Sequence, residues 1–143
     1  MWHSGAMLRL VFCLAVAVWL GAIVCLSFVV APIAHGRFPA HEARRFLRPL
    51  FPRYYRLGTL CGLVALGVVL LGRGSLSDEE VARLAIPVAT AMLTSLGGEW
   101  IAPKLRELDG EDARFGWLHQ ISAMLNTTTL AALVLAVAGA VMR

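Results

Sequence analysis

Four long apolar stretches alternate with short polar ones along this chain. The first runs from Leu8 to Ile33, with a predominantly apolar core from Leu10 to Ala31. A helix needs about 20 such residues to cross the hydrocarbon of a bilayer. Tyr54 to Leu71 repeats the pattern, as do Glu80 to Ala102 and Trp117 to Met142. The pattern predicts an all-α integral membrane protein. It predicts a single transmembrane domain over residues 1–143, a four-helix bundle with spans at about 8–33, 54–71, 80–102 and 117–142.

The polar connections carry their own signals. In Arg37 to Arg53, Ala43, Phe46, Leu47 and Leu50 recur at helical spacing, while Arg44, Arg45 and Arg48 fall elsewhere around the axis. This is a short amphipathic helix suited to the headgroup region, its arginines facing anionic lipid headgroups. Pro39 suits its start, and Pro49 and Pro52 are expected to end it. Tyr54 and Tyr55 then read as interfacial residues. Gly58 and Gly62 form a G-x-x-x-G pair that permits close helix approach. Gly72 and Gly74 end the second span. Ser77 and Glu80 fit a capping box that starts a helix near Asp78. Pro87 is an expected kink. Pro103 ends the third span, and Lys104 to Arg114 reads as a charged loop. Ala132, Ala136 and Ala140 give the fourth helix a small-residue stripe.

Composition agrees. Of 143 residues, 59% are hydrophobic and only 15% charged, against about 25% charged in soluble domains. A soluble fold of this size has too little interior for that excess. The formal charge of +4 does not imply nucleic acid, because the basic residues flank apolar spans. Cys13, Cys25 and Cys61 lie within apolar stretches and form no metal-binding spacing. The first span exceeds a signal-peptide core of about 7–15 residues and lacks an A-x-A-type cleavage site. An even number of spans puts both termini on one side. With the second connection, that side holds four of the thirteen basic side chains, Arg9, Arg73, Arg83 and Arg143. The first and third connections hold the other nine, so they are expected to be cytoplasmic and the termini outside.

The fourth helix is half polar, with His119, Gln120, Ser122, Asn126 and Thr127 to Thr129 preceding its apolar half. Polar groups in hydrocarbon are retained with partners or a role. His119, Ser122 and Asn126 share one helical face, as do Glu99, Ser95 and Met92 on the third helix. If these faces meet, Glu99 and His119 come together in a low-dielectric interior, with Tyr54 or Tyr55 entering from the same side. Such a site could relay a proton or hold a cation. Helix-binding hydrogen bonds and interfacial anchoring by Trp100 and Trp117 explain the same residues without transport. A haem ligated by His35 and His119 is a third possibility, though the expectation is of no cofactor, metal site or enzymatic activity.

Several pieces resemble one family in order: Trp19-Leu-Gly21, Ala31-Pro32, Phe38-Pro39, Leu50-Phe51-Pro52-Arg-Tyr54-Tyr55, Glu99-Trp100-Ile-Ala-Pro103 and Phe115-x-x-Leu118-His119-x-x-Ser122-x-x-x-Asn126. The chain resembles the family of transmembrane protein 205 and its bacterial relatives, labelled as a domain of unknown function. The resemblance implies a multi-pass helical membrane protein without an agreed enzymatic activity, here in a bacterial inner membrane. The chain departs from it at Gly97-Gly98, where related proteins often carry an Asn. The expected role is solute, proton or cation handling through the polar half. The alternative is a structural or assembly subunit that binds other membrane proteins or a second copy.

Overall fold

The computed structural model describes residues 2–108 and 113–142. Among these the chain is helical, with no strand. The elements are α1 (Trp2–Val24), a π-helical turn (Cys25–Val30), α2 (Ala31–Arg37), α3 (Ala40–Leu47), α4 (Leu50–Leu71), a 3-10 turn (Arg73–Ser75), α5 (Asp78–Glu107) and α6 (Ala113–Val141). Four helical stretches are long and apolar enough to span a membrane: Ala6–Arg37, Ala40–Leu71, Asp78–Leu105 and Arg114–Val141. They pack as a four-helix bundle. α1 and α5 each touch both α4 and α6, so α1 lies diagonal to α5, and α4 to α6. One end of the bundle carries the start of α1, the end of α6 and the turn between α4 and α5. The other, the loop end, carries α3, the end of α5 and the start of α6.

The helices are longer than the apolar pattern predicts. The first helix widens before Pro32 and continues past it to Arg37. A proline has no N–H to donate and its ring crowds the carbonyl four residues back. Here the preceding turn widens, and Ala31 N–H bonds to the Leu26 carbonyl five residues back. That π turn accommodates the proline without breaking the helix. α4 starts at Leu50, before the predicted Tyr54, with Pro49 as its cap and Pro52 in its first turn. Orphan N–H groups are normal there, so Pro52 does not stop the helix. α5 likewise runs through Pro103 to Glu107, so much of the predicted charged loop is helical. Positions 109–112 of that loop lie outside the described residues.

Other local expectations hold. Ser77 caps α5: its hydroxyl accepts from Glu80 N–H at 3.2 Å, and its own N–H donates to the Glu80 carboxylate at 3.0 Å. α3 is the amphipathic helix. It buries Ala43 and Leu47 against Ala34 and leaves Arg44, Arg45 and Arg48 exposed. Phe46, on the same apolar face, is exposed beside Phe38.

Lipid is as apolar as leucine, so helices in a membrane associate through close packing and hydrogen bonds. The core shows both. α1 contributes Phe12, Val16, Trp19 and Ile23 at helical spacing, and α6 contributes Leu133 with the buried stripe Ala132, Ala136 and Ala140. Gly58 and Gly62 of α4 do not meet a helix backbone. A Cβ on Gly58 would lie 2.5 Å from Trp19 Nε1, and one on Gly62 would lie 2.5 Å from Met92 Cγ and 3.1 Å from the Trp19 ring. The glycine pair is the seat of an indole.

Candidate functional site

The polar groups that enter the bundle collect toward the loop end. Asn126 of α6 is their centre. Its Nδ2 donates to Ser27 Oγ of the π turn at 2.8 Å, and its Oδ1 accepts from the Tyr54 hydroxyl of α4 at 3.2 Å. One side chain thus ties three helical segments. Tyr54 and Tyr55 are not interfacial, as their position suggested; both are buried. α4 and α6 sit on a diagonal, and a tyrosine is long enough to cross it. Tyr55 stands beside Tyr54, with ring centroids 5.0 Å apart, and has Ser122 and Glu99 as polar neighbours. Gly98 makes room for it, since a Cβ there would fall 2.6 Å from the Tyr55 hydroxyl. One turn beyond, Thr94 of α5 and Thr129 of α6 join hydroxyls at 2.7 Å. Together these groups form a polar seam through the bundle.

Of the predicted site residues, Tyr55, Ser122 and Asn126 belong to the seam, and Glu99 is half-buried at its edge. His119 does not belong to it. It is exposed, its ring stacked almost parallel on Phe115 with centroids 6.0 Å apart. Helical side chains lean toward the N-terminus of their helix. For His119 that direction leads out of the end of the bundle, although its position shares a face with Ser122 and Asn126. No Glu99–His119 ion pair forms among the described residues. Arg44 of α3 lies over the same Phe115 ring, 5.7 Å from its centroid, and Lys104 lies 4.7 Å from that of Trp100. Cations, aromatic rings and His119 therefore form an exposed layer at the loop end, with Trp100 and Trp117 exposed as interfacial anchors would be. His35, the other candidate haem imidazole, is exposed too.

Ser27 and Trp19 were not singled out as site residues from the sequence, and Tyr54 was named only as an alternative to Tyr55. Ser27 was hidden because its direction depends on the π turn. A signal did exist: Pro32 near the end of an apolar run marks a place where a helix must widen or break. A recess of about 870 Å³ opens at the opposite end, where Phe12, Val68 and Leu84 meet Arg9, Glu80 and Arg83. It is remote from the seam. Arg83 is engaged with the Glu79 carboxylate at 3.5 Å and the Met142 carbonyl at 3.3 Å.

A family model described as Domain of unknown function (DUF4149) matches residues 14–114. The match takes in Trp19, Ser27, Tyr54, Tyr55 and Ser95 and stops before Ser122 and Asn126. No curated protein and no solved structure matches the chain.

Proposed function

The chain belongs to the DUF4149 family, and from that premise we propose that it is a non-enzymatic assembly subunit docking another transmembrane helix. One observation carries this reading. On α1 and its π turn, Ala17, Gly21 and Cys25 are exposed at four-residue intervals, on the side away from the buried Trp19 and Ile23. The small residues of α4 and α6 serve the bundle's own packing, whereas this stripe faces lipid. A Cβ on Gly21 would meet nothing within 4 Å, so the surface is free to receive a close-packed neighbour. The seam then locks the bundle into the shape that presents the stripe. Arg44, Arg45 and Arg48 hold α3 against anionic headgroups. The resemblance to the transmembrane protein 205 family, the bacterial inner membrane and outward-facing termini belong to the same proposal.

The test is purification of the full chain from its native membrane in mild detergent. Wild type should carry a stoichiometric membrane partner, and Gly21→Leu should lose it with unchanged thermal unfolding. A wild-type chain recovered alone and monomeric would sink the reading. Oxidative cross-linking through Cys25 identifies a second copy as that partner.

A second reading is solute, proton or cation handling. The convergence of Ser27, Tyr54 and Asn126 oxygens and amide inside the bundle favours it, because these groups can coordinate a small polar species. It requires that Asn126→Leu abolish flux into proteoliposomes while the bundle still folds.

A further inference from the structure

The threonines on neighbouring turns return their hydroxyls to their own helix. Thr59 bonds to the Tyr55 carbonyl, Thr90 to that of Ile86, Thr94 to that of Thr90 and Thr129 to that of Leu125. Ser95 does not. It is 3% exposed, and its Oγ has no hydrogen-bond partner in the protein. Among the described residues, the other buried side-chain atom without a well-formed bond is Trp19 Nε1, on a residue with no exposure.

These two atoms share one layer of the bundle. α4 and α5 run antiparallel, with Gly62 against Met92 and Tyr55 against Gly98. Gly58 lies between Tyr55 and Gly62 on one stripe of α4, and Ser95 lies midway between Met92 and Gly98 on the facing stripe of α5. Ser95 is therefore level with Gly58, the residue over which Trp19 Nε1 sits. The Trp19 indole also approaches the Tyr54 hydroxyl as a hydrogen-bonding neighbour, without forming a bond of good geometry. The Tyr54 proton goes to Asn126, which leaves the Tyr54 oxygen free to accept.

We propose that the N–H edge of the Trp19 indole, between Ser95 and Tyr54, is a binding site for a single internal water. The water accepts from the Trp19 indole N–H, exchanges a hydrogen bond with the Ser95 hydroxyl and donates to the Tyr54 oxygen. Three partners are typical of a buried structural water. A dry arrangement would leave the buried Ser95 hydroxyl without a partner and the Trp19 N–H without a well-formed bond, which is costly in a low-dielectric interior. The site extends the seam from Asn126 through Tyr54 to α1 and α5, so all four helices join one network. It does not depend on the docking surface proposed above.

Thermal unfolding of the full chain in detergent tests it through Ser95→Ala, Trp19→Phe and the double variant. A bridging water makes Ser95→Ala lower the Tm by about 3 °C, and the double variant loses less than the sum of the singles. Removing a dry, unpartnered hydroxyl does the reverse. A Tm that rises or holds in Ser95→Ala, or additive effects of the two changes, overturns the proposal. Fluorescence gives a second readout in a variant with Phe at Trp2, Trp100 and Trp117, where Trp19 is the sole emitter. Its emission should move to the blue when Ser95→Ala removes the water's second partner. Unchanged emission overturns the proposal.

Discussion

The two ends of the bundle are held by different forces. Toward the termini, α1, α4, α5 and α6 meet through Phe12, Val16, Val69, Val88, Leu133 and the alanine stripe, with no interhelical hydrogen bond between buried side chains among the described residues. Toward the loops, the same helices meet through Asn126, Tyr54, Ser27, Thr94 and Thr129. Fit alone suffices where residues are small and surfaces complementary. Where long aromatic side chains must cross a diagonal, hydrogen bonds supply the orientation that shape leaves open. The Trp19 seat on Gly58 and Gly62 lies between the two regimes.

The strongest challenge to this picture falls on that seat. Gly58→Leu puts side-chain atoms where the Trp19 indole lies and should prevent a folded bundle. Overpacking costs about 1–3 kcal/mol and more where nothing can shift; here the obstacle is a fully buried indole. Far-UV circular dichroism and gel filtration in detergent would report the loss. A folded Gly58→Leu would mean that Trp19 can vacate its seat. In the shape-held end, Leu133→Ala should cost about 2–5 kcal/mol, since it leaves a cavity in a packed layer. In the seam, Asn126→Leu should cost less, about 1–2 kcal/mol, because interhelical hydrogen bonds in membranes are individually modest. Thermal unfolding of the two variants side by side tests the division. If Asn126→Leu costs more than Leu133→Ala, the seam holds the fold together and the contrast between the ends fails.

Much of this architecture was legible from apolar run lengths, the Ser77–Glu80 cap and the alternation of arginines and apolar residues in α3. The inward placement of Ser122 and Asn126 among polar neighbours was legible too, because polar side chains in an apolar helix must find partners. The inward face of α1 was not. That helix is apolar all round, so no periodicity separates Trp19, which is fully buried, from Val18, which faces lipid. The G-x-x-x-G pair announced a close approach without naming an indole as its object. Helix ends were underestimated at Pro52 and Pro103, because a proline costs little in a first turn and less than expected where the flanking chain keeps its helical bonds.

Thr129→Val sharpens the comparison within the seam. It keeps the volume and deletes the hydroxyl that meets Thr94 at 2.7 Å. Each threonine also bonds to its own backbone, so Thr94 keeps a partner when Thr129 loses its oxygen. The expected loss is about 0.6 kcal/mol, read as a small fall in Tm. A larger loss would mean that the α5–α6 contact depends on this one bond.

The smallest effect is expected at His119, and it bears most directly on function. The residue sits within the sequence motif that contains Ser122 and Asn126, yet its ring lies outside on Phe115, in the layer where Arg44 also approaches that ring. His119→Ala removes a stacking partner at an exposed site and leaves every seam hydrogen bond in place. Stability should stay within about 0.5 kcal/mol of wild type, and recovery of a membrane partner should be unchanged. Flux measured in proteoliposomes separates the two functional readings. An assembly subunit is indifferent to His119, whereas a proton path through Glu99 and His119 stops with it. If His119→Ala abolished flux while the bundle folded normally, the exposed layer at the loop end would have to be counted as part of a conduction path.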